Sequence, residues 1–177
     1  SGSTAVGFRA LATHNVGSAA LTYNTAVGYD AGLAVTTGTQ NTFVGGLAGD
    51  ANTTGASNAA HGYASFSALT TGSNNTAIGM NSGVDTTTGD NNTCLGSSAG
   101  NDLTTGTQNI FVGYNTKPSA ADDSYSIVIS TDQDSGKGAS TAFIAPNGGG
   151  VYQDNNSASW STTSDRRIKK NIEDCST

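Results

Sequence analysis

Charge is what this 177-residue chain has least of. Asp, Glu, Lys and Arg together make up 11% of it, against about 25% in an ordinary soluble domain. Not one Lys or Arg occurs between Arg9 and Lys117. A body without cations offers nothing to a phosphate backbone, so no nucleic acid is expected as a partner. No apolar run is long enough to cross a bilayer, so no membrane insertion is expected either. The two Cys, Cys94 and Cys175, are far apart and lack metal-ligand spacing; Cys94 occupies an apolar slot, as a buried free thiol does. Hydrophobic residues reach only 34%. Low hydrophobicity is a mark of disorder, but disordered chains are normally charged and aperiodic, and this one is neither. Ser1 is not a natural start, so a fragment or a processed product is expected, and no signal peptide is visible.

What the chain does have is a period. The triplet Thr-Thr-Gly stands at Thr36–Gly38 and returns at Thr53–Gly55, Thr70–Gly72, Thr87–Gly89 and Thr104–Gly106. A second glycine column, Gly28, Gly45, Gly62, Gly79, Gly96 and Gly113, keeps the same 17-residue step, as does the asparagine four residues before each of them, from Asn24 to Asn109. An earlier copy, Ser3 to Gly7, lies 21 residues ahead and needs a longer connection through His14, Asn15, Val16 and Gly17. Seventeen residues are too few for two packed helices, and Gly, Thr and Asn are poor helix formers. The unit suits one coil of a β-solenoid, stacked at about 4.8 Å per coil. Each Thr-Thr-Gly then marks the same reversal in every coil, where glycine supplies a positive φ or lets two backbones approach closely.

The slot before each of these glycines holds Val27, Val44, His61, Ile78, Leu95 and Val112, and the slot before that holds Ala26, Phe43, Ala60, Ala77, Cys94 and Phe111. Neighbouring residues of a strand face opposite ways, yet both columns are apolar or small. One face fills the thin core of the coil; the other requires a partner. One such coil buries too little to stand alone, and the larger groups recur once per coil, which implies chains wound about the stacking axis. The stretch NTAVGYDAGLAVTTGTQNTFVG resembles the head repeats of trimeric autotransporter adhesins, and even more the arrays of phage tail fibres. The resemblance covers about two thirds of the chain and implies a homotrimeric all-β solenoid or β-helix.

Several residues break or decorate the columns. His61 stands in the aliphatic slot. It is either a core histidine satisfied by backbone groups or water, or one of three at a trimer axis holding an anion, a water or a metal; no HxH or second ligand accompanies it. His14 is expected to be exposed. The paired Thr columns stack as ladders, either as turn residues whose hydroxyls satisfy the backbone or as a flat hydroxyl surface for a glycan or ice. The Asn column is expected to form an amide ladder in which each side chain pairs with its neighbour's. Asp85 and Asp102 align one coil apart, near 5 Å by strand spacing. They are either exposed loop acids or a pair of carboxylates as in a retaining glycosidase.

The repeat pattern ends near Lys117-Pro118. SYSIVIS reads as a strand, and TAFIAPNGGGVYQ as two strands about a turn at Asn147–Gly150. The expected divisions are a repeat shaft at 1–117, a β-rich neck at 118–160 with a core of Tyr125, Ile127, Ile129, Phe143, Ile144 and Tyr152 and with Trp160 packed on it, and a terminal segment at 161–177. That segment, TTSDRRIKKNIEDCST, resembles the start of the endosialidase-type intramolecular chaperone of phage tail spikes and fibres, matching at Ser164, Asp165, Arg167, Lys169, Asn171 and Ile172. The resemblance implies a single-turnover self-cut between Thr163 and Ser164, with Ser164 as nucleophile and Lys169 as base. Such a Lys needs a lowered pKa, to which Arg166, Arg167 and Lys170 would contribute. The alternative is a solvated basic run on a helix start, with Ser164 as its N-cap. The family's chaperone continues for a whole domain, whereas only Ser164 to Thr177 follow here.

The function expected from this sequence is that of a structural and receptor-binding fibre of a bacteriophage virion, acting as a homotrimer on a host cell-surface glycan or protein. It has no cofactor and no external substrate. The alternatives are a trimeric autotransporter adhesin at a bacterial surface, and an ice- or glycan-binding solenoid.

Overall fold

The computed structural model describes residues 2–14, 21–146, 149–154 and 159–162. Eleven short strands lie in chain order in one sheet, with no helix among the described residues. They are β1 (Thr4–Val6), β2 (Thr25–Val27), β3 (Thr42–Val44), β4 (Ala59–His61), β5 (Thr76–Ile78), β6 (Thr93–Leu95), β7 (Ile110–Val112), β8 (Ile127–Ser130), β9 (Ala142–Ala145), β10 (Val151–Gln153) and β11 (Trp160–Thr162). From β1 to β9 every neighbour is parallel and in register, Ala26 beside Phe43 and Phe43 beside Ala60; β10 and β11 then close the sheet antiparallel. A parallel pair of such short strands forces the chain around a full circuit between them. The molecule is therefore an all-β solenoid of stacked coils, and the longer first connection indeed joins Thr4 to Thr25 in register.

Outside the strands the coils are still bound to one another by backbone hydrogen bonds, and left-handed residues make this possible. Two residues after each strand glycine, Asp30, Leu47, Ala64, Asn81, Ser98 and Asn115 all have φ between 50° and 59°. Such a conformation costs a non-glycine residue about 1–2 kcal/mol. Here it turns the N–H toward the preceding coil, as from Leu47 to the Tyr29 carbonyl at 2.8 Å and from Asn81 to that of Tyr63 at 2.9 Å. The residue before each asparagine repeats the device: Ser57, φ 58°, donates back to Thr39 at 2.9 Å. The Thr-Thr-Gly glycines, by contrast, are not at positive φ. Close approach is what demands them, since a Cβ on Gly38 would meet the Gly55 carbonyl oxygen and the side chains of Asn41 and Asn52.

The asparagines form a ladder, but not the one expected of paired amides. Asn58 Nδ2 donates to the Gly72 carbonyl of the following turn at 2.8 Å, while its Oδ1 accepts the backbone N–H of Asn75 at 3.0 Å. The pattern holds from Asn24 to Asn109. Direct amide pairing joins it at Asn75–Asn58 and Asn109–Asn92. Each asparagine thus pins its coil to the next coil and to its own turn, and all of them are buried.

The thin core shares its bulk between two sources. Phe43, Phe111, Val128 and Phe143 enter from the strands. Where β4 and β5 supply only Ala60 and Ala77, Phe66 enters instead from the opposite corner, at φ 51° in a column otherwise occupied mainly by glycine. A Cβ on Gly49 would strike the Phe43 ring and one on Gly83 the Phe66 ring, so these glycines make room for the aromatics. Two polar residues, Asn52 and Thr86, alternate with Val35, Leu69 and Leu103 in a further buried column, and neither side chain makes a hydrogen bond. Cys94 is buried and free, its thiol pushed up to about 12 by burial.

The change of pattern at Lys117-Pro118 is a change of residues rather than of pairing. β8 stacks on β7 with Ile110 beside Ile127. Asp123 offers its carbonyl to Asn109 where a Thr-Thr-Gly glycine did before, and Ser126 takes the next asparagine's place, donating its N–H to Asn109 Oδ1 at 2.9 Å. Of the core expected at 118–160, Phe143 is buried and Tyr152 packs half-buried against the core, while the remainder is corrected. Val128 and Phe143 point inward, whereas Tyr125, Ile127, Ile129 and Ile144 are exposed, as is Trp160. Apolar residues occupy both sides of β8, so the alternation in SYSIVIS buries Val128 and turns Ile127 and Ile129 outward.

Candidate functional site

The strands carry their two apolar columns on opposite faces, and these faces differ sharply in exposure. The middle residue points into the coil: Ala26, Phe43, Ala77, Cys94 and Phe111 are 0% exposed. The last residue points out: Val27 is 37% exposed, Ile78 45% and Leu95 44%. The outward column continues through Ile129 and Ile144, and Ile110 and Ile127 lie beside it. Tyr29, Tyr63, Met80 and Tyr114 flank it one residue beyond the glycines and are also exposed. Over the steps from β1 to β9 this gives a stripe roughly 40 Å long at strand spacing. Soluble monomers seldom expose contiguous apolar patches above a few hundred Å². No charged residue stands in the three residue columns that make up this face. Toward β9 the stripe deepens into a groove of about 500 Å³ lined by Val112, Tyr114, Ile129, Thr131, Ile144 and Pro146.

His61 belongs to this outward column, between Val44 and Ile78 in register. It is exposed and makes no hydrogen bond or ion pair with the described residues, so within a single chain it is not a core histidine satisfied by backbone. The other histidine, His14, is half-buried, not exposed as expected; its Nε2 lies 3.4 Å from Asn24 Nδ2.

The two Thr columns separate into different roles. The first Thr of each triplet uses its hydroxyl within the solenoid, donating to the same carbonyl of the next coil, Thr36 to Thr53 and Thr53 to Thr70 at 3.1 Å. The second, from Thr37 to Thr105, faces solvent. Asp85 and Asp102 do lie on adjacent coils, but each is engaged with its own chain: Asp85 Oδ2 accepts the Asp102 N–H at 3.2 Å, and Asp102 faces Lys117 Nζ at 3.4 Å. The arrangement is that of loop acids stitching coils together. At the N-terminal end Arg9 grips the buried Asp30 through two contacts, Nε–Oδ1 at 2.8 Å and Nη2–Oδ2 at 2.5 Å, while Phe8 and Tyr29 stack with ring centres 5.4 Å apart. Burial, with Asp30 nearby, holds the Asp50 carboxyl above the usual range, and its Oδ1 is unpartnered.

Ser164, Lys169 and the Thr163–Ser164 bond lie outside the described residues, as do Arg166, Arg167, Lys170 and Cys175. Among the described residues no group of three or more His, Cys, Asp or Glu side chains gathers within one chain to hold a metal, and no helix is long and apolar enough to cross a membrane. In comparison with known proteins, the chain matches no family model, no curated protein and no solved structure.

Proposed function

We propose that three copies of this chain pack their outward columns together, and that the resulting rod is the shaft of a bacteriophage tail fibre whose exposed turns contact a host-surface glycan or protein. The observation that carries the reading is the uncovered aliphatic stripe from Val27 to Ile144, uncharged and continuous with the stacking axis. Burying such a stripe stabilises an assembly by about 25 cal/mol for each Å² removed from water, identical chains related by symmetry can cover one another's faces, and the number three follows the resemblance of the repeat to trimeric arrays. The repeat favours a fibre in its resemblance to phage arrays. The ending SDRRIKKNI favours assembly by a chaperone that leaves by self-cleavage, over a surface adhesin anchored in a membrane. After that departure the rod's stability would be kinetic, because the helper that guided folding is gone.

Light scattering tests the assembly: three times the 17.6 kDa of one chain is expected. Processing is tested separately, by expressing the chain with its natural downstream sequence. Mass spectrometry is expected to find a product ending at Thr163, and Ser164→Ala to remain whole. A wild-type chain left whole would remove the self-cleavage part and leave the rod intact.

A further inference from the structure

We infer that His61 builds a transition-metal site shared by three chains. The inference rests on the three-chain reading above, because one chain supplies a single ligand. Every other residue of the outward column from β1 to β9 is Val, Ile or Leu. The imidazole placed there makes no hydrogen bond or ion pair with any described residue of its own chain. No Asp, Glu, Lys or Arg occupies the three residue columns of that face to answer it. When the faces close, water leaves and each ring loses the partners it had in solution, a cost that nothing on its own chain offsets. Three neutral imidazoles converging at one level offset it by sharing an ion. Imidazole nitrogen is a good ligand for Zn²⁺, Ni²⁺ and Cu²⁺, and three such nitrogens leave further coordination positions open to water. The neighbouring residue on the same side of β4 also fits. Ala59 stands where β1, β2, β3, β5 and β6 carry Thr and β7 and β8 carry Ile, so the strand is narrower beside the ring than in the coils on either side. The site would tie three chains at one height and fix their axial register, which a uniform aliphatic column sets only weakly.

The test uses the whole 177-residue chain, freed of metal by chelation, with Zn²⁺ as the probe. His61→Val restores the aliphatic column and is expected to remain assembled. Molar mass by light scattering and bound zinc after dialysis are read on both proteins. About one ion for every three wild-type chains is expected, none for His61→Val, and an unfolding temperature raised by zinc only in the wild type. An assembled wild type that holds no zinc would overturn the inference while leaving the three-chain reading standing, and so would equal binding by His61→Val. A wild type of single-chain mass would overturn both.

Discussion

The middle and last residues of each three-residue strand differ little in chemistry and completely in circumstance. Ala26, Phe43, Cys94 and Phe111 are sealed inside their own coil, whereas Val27, Val44, Leu95 and Val112 line the surface of the same strands. The inner column mixes sizes, and Phe66 and the corner glycines compensate for its gaps. The outer column is branched and nearly uniform, as suits a surface that must fit copies of itself. A hydrophobic residue in this fold therefore serves either the single coil or the assembly, and one step along the strand decides which.

That division can be broken from either side. The largest effect is expected from a charge in the outer column. Ile78→Asp should abolish assembly, giving the mass of one chain by light scattering while the β-sheet circular dichroism of the coil persists. Inner truncation should do the reverse. Phe43→Ala removes a fully buried ring and is expected to cost about 3–5 kcal/mol by denaturant unfolding, with the loss independent of the outer face. Asn75→Ala strikes the ladder that both columns depend on. It leaves the Gly89 carbonyl and the Asn92 N–H unpaired, and is expected to cost about 2–6 kcal/mol, since each buried orphan costs about 1–3 kcal/mol.

The smallest effect concerns Asp50, whose carboxyl is held above its unfolded value by burial and by Asp30. A raised acid is disfavoured when ionised. Its cost is absent at a pH below the unfolded value of 3.8, grows as pH rises through the interval up to the folded value, and is complete above it. At this residue stability therefore increases as pH falls through that interval. Asp50→Asn should remove this dependence and stabilise the protein at neutral pH by under about 1 kcal/mol, since the group is partly exposed and screened. Thermal melts of both proteins across the acid range measure the difference.

The period, the solenoid and the two columns could be read in the sequence because glycine, asparagine and the apolar slots return at fixed spacing. The facing of the columns could not, because adjacency says only that they oppose each other. The left-handed corners at Leu47, Ala64 and Phe66 were also hidden, since none of these residues advertises a positive φ and the coil-to-coil hydrogen bonds impose it. β8 and β9 escaped the repeat because Asp123 and Ser126 do the work of glycine and asparagine through backbone groups that carry no residue signature. The exposed setting of His61 was hidden with the facing of its column, and its lack of any partner among the described residues is likewise a property of the fold rather than of the sequence. The self-cleavage pair Ser164 and Lys169 is a reading of the sequence alone, beyond the described residues.

The account turns on whether the outer columns cover one another. The molar mass of the 177-residue chain in dilute solution, measured by light scattering on a size-exclusion column, tests this most directly. Three times 17.6 kDa is predicted. A folded species at 17.6 kDa that persists as concentration rises would contradict it.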